Sequence, residues 1–405
     1  MQISKAGAEF IKVHFSYFNL PTGAYVLVSD QTGNERYRYD GIQNNKATYS
    51  TEKGENGLTQ FSAMSVFGDT ANITLVMPEG AVWLKEHGIR VDRFNAGTSQ
   101  AVMADGSDTP ITEFSTCGVN ERVDVACWES SNTVEFERTR PVARLLMGGS
   151  GLCTGWRVGN DNHMFTNNHC LDNQSTLANT EIWFNYQKTT CGGSTYAGTI
   201  KVTGKDLLKT DYDLDYSLFT VNNFANIASF GNYGLDPRAP SLGEIIYIPQ
   251  HGAGNPKELS IESDQNASGL CEIDVVSATG RASGTDTGYF CDTTGGSSGS
   301  PVLAGSSNKV IALHHFGGCE NQGVRIDKIW PQVSSHFGGV VPQGDVGTPP
   351  GNQAPVAQAD INCSSLACSF NGSGSSDVDG TVVSHDWNFG DSSTLSGATV
   401  NHTYA

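Results

Sequence analysis

Positive charge is scarce in this chain of 405 residues: 24 Lys and Arg stand against 42 Asp and Glu, a formal net charge of -18. Nucleic acids and anionic lipid surfaces are held by clusters of basic side chains, so neither is expected as a partner. Long apolar runs are missing too. No stretch approaches the roughly 18 consecutive apolar residues of a membrane-crossing helix, so no membrane span is expected. Charged residues make up only 16% against 38% hydrophobic, which excludes disorder driven by charge repulsion. No CxxC pair occurs, and zinc-ribbon and thioredoxin-type chemistry are set aside with it. Helical spacing is nearly absent. One segment, Ile326 to Phe337, places Ile326, Ile329, Trp330 and Val333 at i, i+3, i+4 and i+7, with Pro331 in its first turn or kinking it.

What is present points to an all-β protein. Glycine is frequent at 47 residues, and period-two segments alternate with Gly, Pro and Asn turn signals. At about 100–200 residues per domain the length allows two to four domains. Residues 1–108 hold Phe10-Ile11-Lys12-Val13-His14-Phe15 and Tyr25-Val26-Leu27-Val28, contain no Cys, and read as a β-sandwich that serves as a pro-domain or accessory unit. Residues 109–338 carry eight of the ten cysteines and strand-like GTIKVTG, EIIYIPQ and KVIALHH. Residues 339–353 are a Gly/Pro-rich linker, and 354–405 form a last β unit. An even set of cysteines without metal-type spacing indicates disulfides in an oxidising compartment, hence a secreted or extracellular protein. Met1 to Lys5 lacks the basic and apolar regions of a signal peptide, and His402 to Ala405 stops inside a strand-like stretch; the chain reads as a fragment missing both ends.

Three stretches of the middle region combine into one chemistry: Phe165-Thr166-Asn167-Asn168-His169-Cys170, Asp215-Tyr216-Ser217-Leu218, and Gly295-Gly296-Ser297-Ser298-Gly299-Ser300-Pro301. A serine hydroxyl attacks an amide only when a base takes its proton. The base needs a buried carboxylate to hold its tautomer, and the developing oxyanion needs N–H donors. Ser298 suits the nucleophile, His169 the base and Asp215 the orienting acid, with the N–H groups of Gly296 and Ser298 as the oxyanion hole. The glycines at 295, 296 and 299 permit the tight turn this requires. Each stretch alone has a plain alternative: a flexible surface turn, a structural histidine, one of three neighbouring aspartates. The chain order His, Asp, Ser is that of the chymotrypsin-type template, and the joint occurrence outweighs coincidence. A Gly-x-Ser-x-Gly elbow is missing, which disfavours an esterase of the α/β-hydrolase kind.

At these residues the middle region, from about Cys117 to Trp330, resembles trypsin-like (chymotrypsin-fold) serine proteases, and among them the bacterial lysyl endopeptidase family. TNNHC stands where these proteases have TAAHC-like sequences, DYSL where they have Asp-x-x-Leu, and GSSGSP in place of GDSGGP. The resemblance implies two antiparallel β-barrels with the triad in the cleft between them, and a secreted endopeptidase acting on protein or peptide substrates without a cofactor. It also implies disulfides Cys117–Cys319, Cys127–Cys191, Cys153–Cys170 and Cys271–Cys291. Before these, FSYFNLPTGAYVLVSD is similar to the β-rich amino-terminal regions that precede secreted bacterial proteases. After them, APVAQAD, DVDG at 377–380 and Trp387-Asn388-Phe389-Gly390-Asp391 resemble a PKD domain, an immunoglobulin-like sandwich that lacks its closing strands here. A local Cys363–Cys368 bridge and contact with extracellular matrix or polymer follow from that likeness.

Specificity is read the same way. In the trypsin template the pocket-floor carboxylate lies six residues before the nucleophile, at Asp292, which implies cleavage after Arg or Lys. Lysyl endopeptidases instead take their pocket aspartate from the segment after the cysteine matching Cys319, where this chain has Asn321 and no Asp until Asp327. Glutamate-specific relatives use a histidine on the strand of His314 and His315 and share the TTGGxSGSP pattern, so a Glu-specific endopeptidase is the alternative. His315, Phe316 and Gly317 are expected to line the groove. Adjacent strand residues face opposite ways, so His314 and His315 do not suggest a metal site, and the acidic run at 211–215 lacks the elements of an EF-hand. Trypsin-type zymogens place an Asp just before the nucleophile; here Ser297 stands there, so activation by an inserted amino terminus is not expected. A protein of this build that only binds, as a silent relative, is the remaining alternative.

Overall fold

The computed structural model describes residues 1–42, 45–97, 115–345, 355–377 and 382–404. The first unit consists of two antiparallel sheets. One orders Gln2–Ser4, Thr70–Val76, Tyr25–Ser29 and Arg36–Tyr39; the other is built around Phe10–Asn19, which pairs with Phe61–Ala63, Val66–Phe67 and Gly88–Gly97. Their shared core includes Ile11, Val13, Phe15, Val26, Val28, Phe61 and Ile73.

The middle unit begins with a closed barrel of six strands, in the order Val142–Met147, Gly151–Arg157, Met164–Thr166, Tyr216–Val221, Ile200–Asp211 and Thr180–Phe184. An eight-stranded antiparallel sheet follows, from Val123–Asp124 at one edge through Ile246–Gln250, Pro301–Ala304, Val310–Phe316 and Asn321–Arg325 to Val275–Ala278 at the other. The helix Ile326–Val333 closes the unit with Ile326, Ile329 and Val333 buried; Pro331 lies inside it, and a 3-10 turn, Ser334–Phe337, follows. Disulfides join Cys117–Cys319, Cys127–Cys191, Cys153–Cys170, Cys271–Cys291 and Cys363–Cys368. In the last unit, Asp360–Ser364, Ala367–Asn371 and Thr399–Thr403 pair over Cys368, Phe370, Phe389 and Val400. The border drawn at 108/109, most of the linker and positions 378–380 of the DVDG stretch lie outside the described residues.

Strand alternation explains how the first unit meets the barrel. Along Phe10–Asn19 the odd positions Ile11, Val13 and Phe15 enter their own core, so Phe10 and Lys12 point the other way. Along Thr180–Phe184, Ile182 and Phe184 enter the barrel core and leave Glu181 and Trp183 outside. A free barrel would expose that outer face; here it is covered. Phe10 and Phe67 meet Trp183 edge-on at 5.5 and 5.2 Å, and the Arg144 guanidinium lies over the Trp183 ring. Lys12 pairs with Glu181, both buried, and Nζ also donates to the Ala63 carbonyl at 2.9 Å. Glu181 further accepts from Ser65 N–H, Ser65 Oγ and Trp183 Nε1. Burial alone pushes the Glu181 carboxyl up, but Lys12 and Lys201 beside it outweigh that and hold it below its usual range. Burial depresses Lys12 in turn, against the pull of Glu181.

A buried ion pair broken on one side leaves an uncompensated charge, whereas its replacement by apolar residues is nearly neutral. Lys12→Met is therefore expected to destabilise the protein by about 3 kcal/mol, and Lys12→Met/Glu181→Gln, which removes the charge but keeps an acceptor for Ser65 and Trp183, to recover part of the loss. Urea titrations of both variants beside the wild type check this; equal losses in the single and double variants would contradict it.

Candidate active site

His169 sits on the turn that follows Met164–Thr166. The turn is closed by Leu171 N–H to the Asn167 carbonyl at 3.1 Å and fastened to the neighbouring strand through Cys153–Cys170. Asn167 Nδ2 donates to the Asp215 carbonyl at 2.8 Å, tying this turn to the start of Tyr216–Val221. Asp215 is fully buried and has a left-handed backbone, φ 42°. Its carboxylate accepts from the His169 backbone N–H at 3.0 Å and from His169 Nδ1 at 2.8 Å. With a carboxylate as acceptor, Nδ1 carries the proton and Nε2 keeps its lone pair.

Two further side chains meet the same carboxylate. Arg281 Nη1 is 3.2 Å from Asp215 Oδ1, and His315 Nδ1 is 3.0 Å from Oδ2. His315 Nε2 is 2.5 Å from Asp286 Oδ2, so this wholly buried ring lies between two carboxylates. Burial lowers His315, but hydrogen bonds to Asp215 and Asp286 outweigh it and raise the ring above its ordinary value, favouring imidazolium with both N–H groups donating. For Asp215 burial pushes upward, and the bonds from His169 and His315 overcome it, leaving the carboxyl far below the usual range.

Ser298 lies on the turn before Pro301–Ala304. Gly296 and Gly299 have φ of 93° and 90°. A Cβ on Gly299 would stand 2.1 Å from the Thr154 carbonyl oxygen, so glycine alone lets this turn rest on the barrel. There Thr154 N–H donates to the Ser298 carbonyl at 2.8 Å and Thr154 Oγ1 to the Gly296 carbonyl at 2.9 Å. Among the described residues, neither the Gly296 nor the Ser298 N–H has an acceptor. Ser297, where trypsin-type zymogens have Asp, is buried and donates its hydroxyl to Gln250 Oε1, while Gln250 Nε2 donates to Ser260 Oγ and the Asp292 carbonyl. A neutral network thus occupies the place of an ion pair.

His169 and Ser298 line one cavity of about 420 Å³, together with Gly295, Gly296 and Thr294 on one side and His314, His315, Phe316 and Gly317 on the other. Asp292 is not part of that lining. Its two oxygens accept from Cys117 N–H at 2.7 Å and Glu121 N–H at 2.8 Å, clamping the 117–121 segment, and burial raises its carboxyl despite those bonds. His314 donates to or accepts from Tyr289 OH at 2.8 Å; burial, with His315 and His169 nearby, pushes it down to about 3, so it is neutral. Cys153, Cys170 and His169 cluster closely, but both sulfurs are spent in a disulfide and offer no thiolate to a metal. Arg281, Asp286, Gln250 and Ser115, which lines the same cavity, escaped sequence reasoning. None lies in a motif, and each reaches the site across a long sequence interval.

A closed six-stranded barrel beside an eight-stranded antiparallel sheet, carrying a His–Asp pair and a glycine-framed serine, is a serine-protease-like architecture. Residues 117–326 match the family model described as lysyl endopeptidase, C-terminal domain, and the chain belongs to that family; residues 352–405 match the PKD domain. Secreted RxLR effector protein 73 of Plasmopara viticola is 31% identical over 342 residues, covering 81% of this chain and 79% of that protein. A lysyl endopeptidase of Pseudomonas aeruginosa is 27% identical over 281 residues, covering 62% of this chain and 55% of the enzyme. A solved structure of a Glu endopeptidase in complex with MPD is 17% identical, with a TM-score of 0.37, covering 56% of this chain and all of that one.

The raised His315 has a consequence for stability. A group whose folded value exceeds its unfolded one contributes most below the unfolded value, about pH 6.5 for His, and loses that contribution as pH rises through the folded value. The stability gap between wild type and His315→Gln should therefore be widest in mildly acidic buffer and narrow on the alkaline side. Denaturant midpoints from pH 5.5 to 9.5 measure it, and a gap that widens with pH would contradict the assignment.

Proposed function

We propose that the protein is a secreted serine endopeptidase that cleaves peptide bonds through an acyl-enzyme on Ser298. The observation that carries this is that His169, hydrogen-bonded to Asp215, lines one cavity with Ser298, whose turn keeps two backbone N–H groups that have no acceptor among the described residues. His169 Nε2 takes the Ser298 proton as Oγ attacks the scissile carbonyl, and Asp215 holds the ring and stabilises the imidazolium that forms. The N–H groups of Gly296 and Ser298 receive the oxyanion. The imidazolium then protonates the leaving nitrogen, the C–N bond breaks, and water, deprotonated by His169, releases the acyl group. Five disulfides support an extracellular setting, and the PKD domain supports attachment to a matrix or polymer outside the active site.

For the residue before the cut, the cavity favours the acidic reading over the Arg or Lys preference that Asp292 implied. Among the described residues its wall carries Arg281 and His315, both already paired with buried carboxylates, with His169 and His314 and no Asp or Glu, while both Asp292 oxygens are engaged by backbone N–H groups. A carboxylate entering beside neutral His314 would draw a proton onto that ring.

Ser298→Ala should lower kcat by about four to six orders of magnitude without loss of fold, leaving only oxyanion and binding contributions. A fluorophosphonate should label wild type and not this variant; a protein that only binds would take no label. On matched peptides with Glu, Asp, Arg, Lys or Phe before the bond, Glu should lead, and His314→Leu should cut its advantage about tenfold or more. An Arg or Lys preference abolished by Asp292→Asn would return specificity to Asp292.

A further inference from the structure

A trans peptide points its N–H away from its C=O, so a backbone donor is aimed by whatever holds the carbonyl of the same peptide. For the Gly296 N–H that carbonyl is Gly295, which accepts from the Ala253 N–H at 2.5 Å. For the Ser298 N–H it is Ser297, which accepts from the Ser300 N–H at 2.9 Å and from Ser300 Oγ at 2.5 Å. The peptide between these two carries the Gly296 carbonyl, and its partner is the Thr154 hydroxyl at 2.9 Å. That hydroxyl also accepts from the His251 N–H at 3.0 Å, which joins the serine turn to the 3-10 segment Gly252–Gly254 from which Ala253 donates. Ala253 has φ 54°, a left-handed conformation that costs a non-glycine residue about 1–3 kcal/mol and persists only where its surroundings fix it. Thr154 and His251 are wholly buried. Thr154 is itself anchored on the strand Gly151–Arg157, next to the Cys153–Cys170 bridge, and its carbonyl accepts from Thr166 Oγ1 at 2.8 Å.

We infer that Thr154 is a positioning residue of the oxyanion hole: its one hydroxyl holds the Gly296 carbonyl and the His251 N–H together and so keeps the Gly296 N–H aimed at the reacting carbonyl. This deepens the endopeptidase reading above and rests on it. The brace comes from the barrel, on the strand that also carries one cysteine of the bridge beside His169, so the base and the oxyanion donors are held by neighbouring residues. Removing the hydroxyl while keeping the side chain's shape leaves a buried carbonyl and a buried N–H without partners. The Gly295–Gly296 peptide escapes that cost by rotating, which takes its N–H out of line. Thr154 is not in the cavity lining and acts only through the turn. Its loss is therefore felt where negative charge develops on the oxygen, and not in the binding of an uncharged peptide group.

The test compares Thr154→Val, which keeps the shape without the hydroxyl, with Thr154→Ser, which restores the hydroxyl; Thr154→Ala replaces the first if it does not fold. Thr154→Val should lower kcat on a peptide substrate by about tenfold to a hundredfold, less than outright loss of an oxyanion donor, with KM within about twofold of wild type and Thr154→Ser within about threefold in both constants. A peptide aldehyde reads the hole directly. Ser298 Oγ adds to its carbonyl carbon, the proton passes to His169, and the oxygen enters the hole. Its affinity should fall in Thr154→Val by the same factor as kcat/KM, while a non-covalent peptide competitor loses none. Aldehyde affinity kept in Thr154→Val, or Thr154→Ser losing as much as Thr154→Val, would overturn the inference. Crystal structures of the two variants test it apart from the enzyme reading: a rotated Gly295–Gly296 peptide is expected in Thr154→Val and an unchanged one in Thr154→Ser, whether or not any peptide is cleaved. An unchanged turn in Thr154→Val would sink the inference on its own account, whereas wild type inert toward peptides and aldehyde would count against the enzyme reading.

Discussion

Asp215 is the constraint around which the site is organised. A carboxylate with no solvent exposure is costly unless every lone pair finds a partner. Here the partners come from three places in the chain: the turn that supplies the His169 backbone and ring and, to the Asp215 carbonyl, Asn167; the His315 ring; and Arg281. Satisfying this one group brings the turn after Met164–Thr166, the start of Tyr216–Val221, the end of Val310–Phe316 and the Arg281 loop to a single point. The left-handed backbone at Asp215 shows the chain bending to meet that demand.

The serine turn is positioned by different means. In place of an aspartate paired with a charged amine, Ser297, Gln250 and Ser260 make a neutral hydrogen-bonded chain ending on the Asp292 carbonyl. Such a network needs no new terminus to become complete. Asp292 has a bracing role in the same region, through the 117–121 segment that Cys117–Cys319 also ties down. The contact between the amino-terminal unit and the barrel follows the same rule of satisfaction. Glu181 and Lys12 are tolerated inside because Ser65, Trp183 and the Ala63 carbonyl complete their bonding.

Local pattern made much of this readable. Alternation and turn residues announce strands because a pleated sheet sends neighbouring side chains to opposite faces, and the helix at Ile326–Val333 shows the one sustained helical spacing. His169, Asp215 and Ser298 stood out because nucleophilic chemistry constrains the residues beside them: the glycines of the turn and the cysteine after the histidine. Where a charged residue points is not local. Lys12 lies on the polar side of an alternating segment in the sequence, yet is buried against Glu181, since what covers that face arrives from far along the chain. Asp292 sits at the interval of a pocket floor, but its hydrogen bonds go to the backbone of Cys117 and Glu121.

The sequence by itself determined the β architecture and marked an even cysteine set for disulfides and His169, Asp215 and Ser298 as candidates for acyl transfer, because each reading follows from composition, period or short-range chemistry. Only the tertiary structure decided that His315 joins Asp215 to Asp286, that Arg281 enters the cleft, that Gln250 replaces an ion pair, and that the first unit stands beside His169. The reason is physical. Hydrogen bonds and ion pairs between distant residues depend on which surfaces are brought together, and that is set by the burial of whole faces.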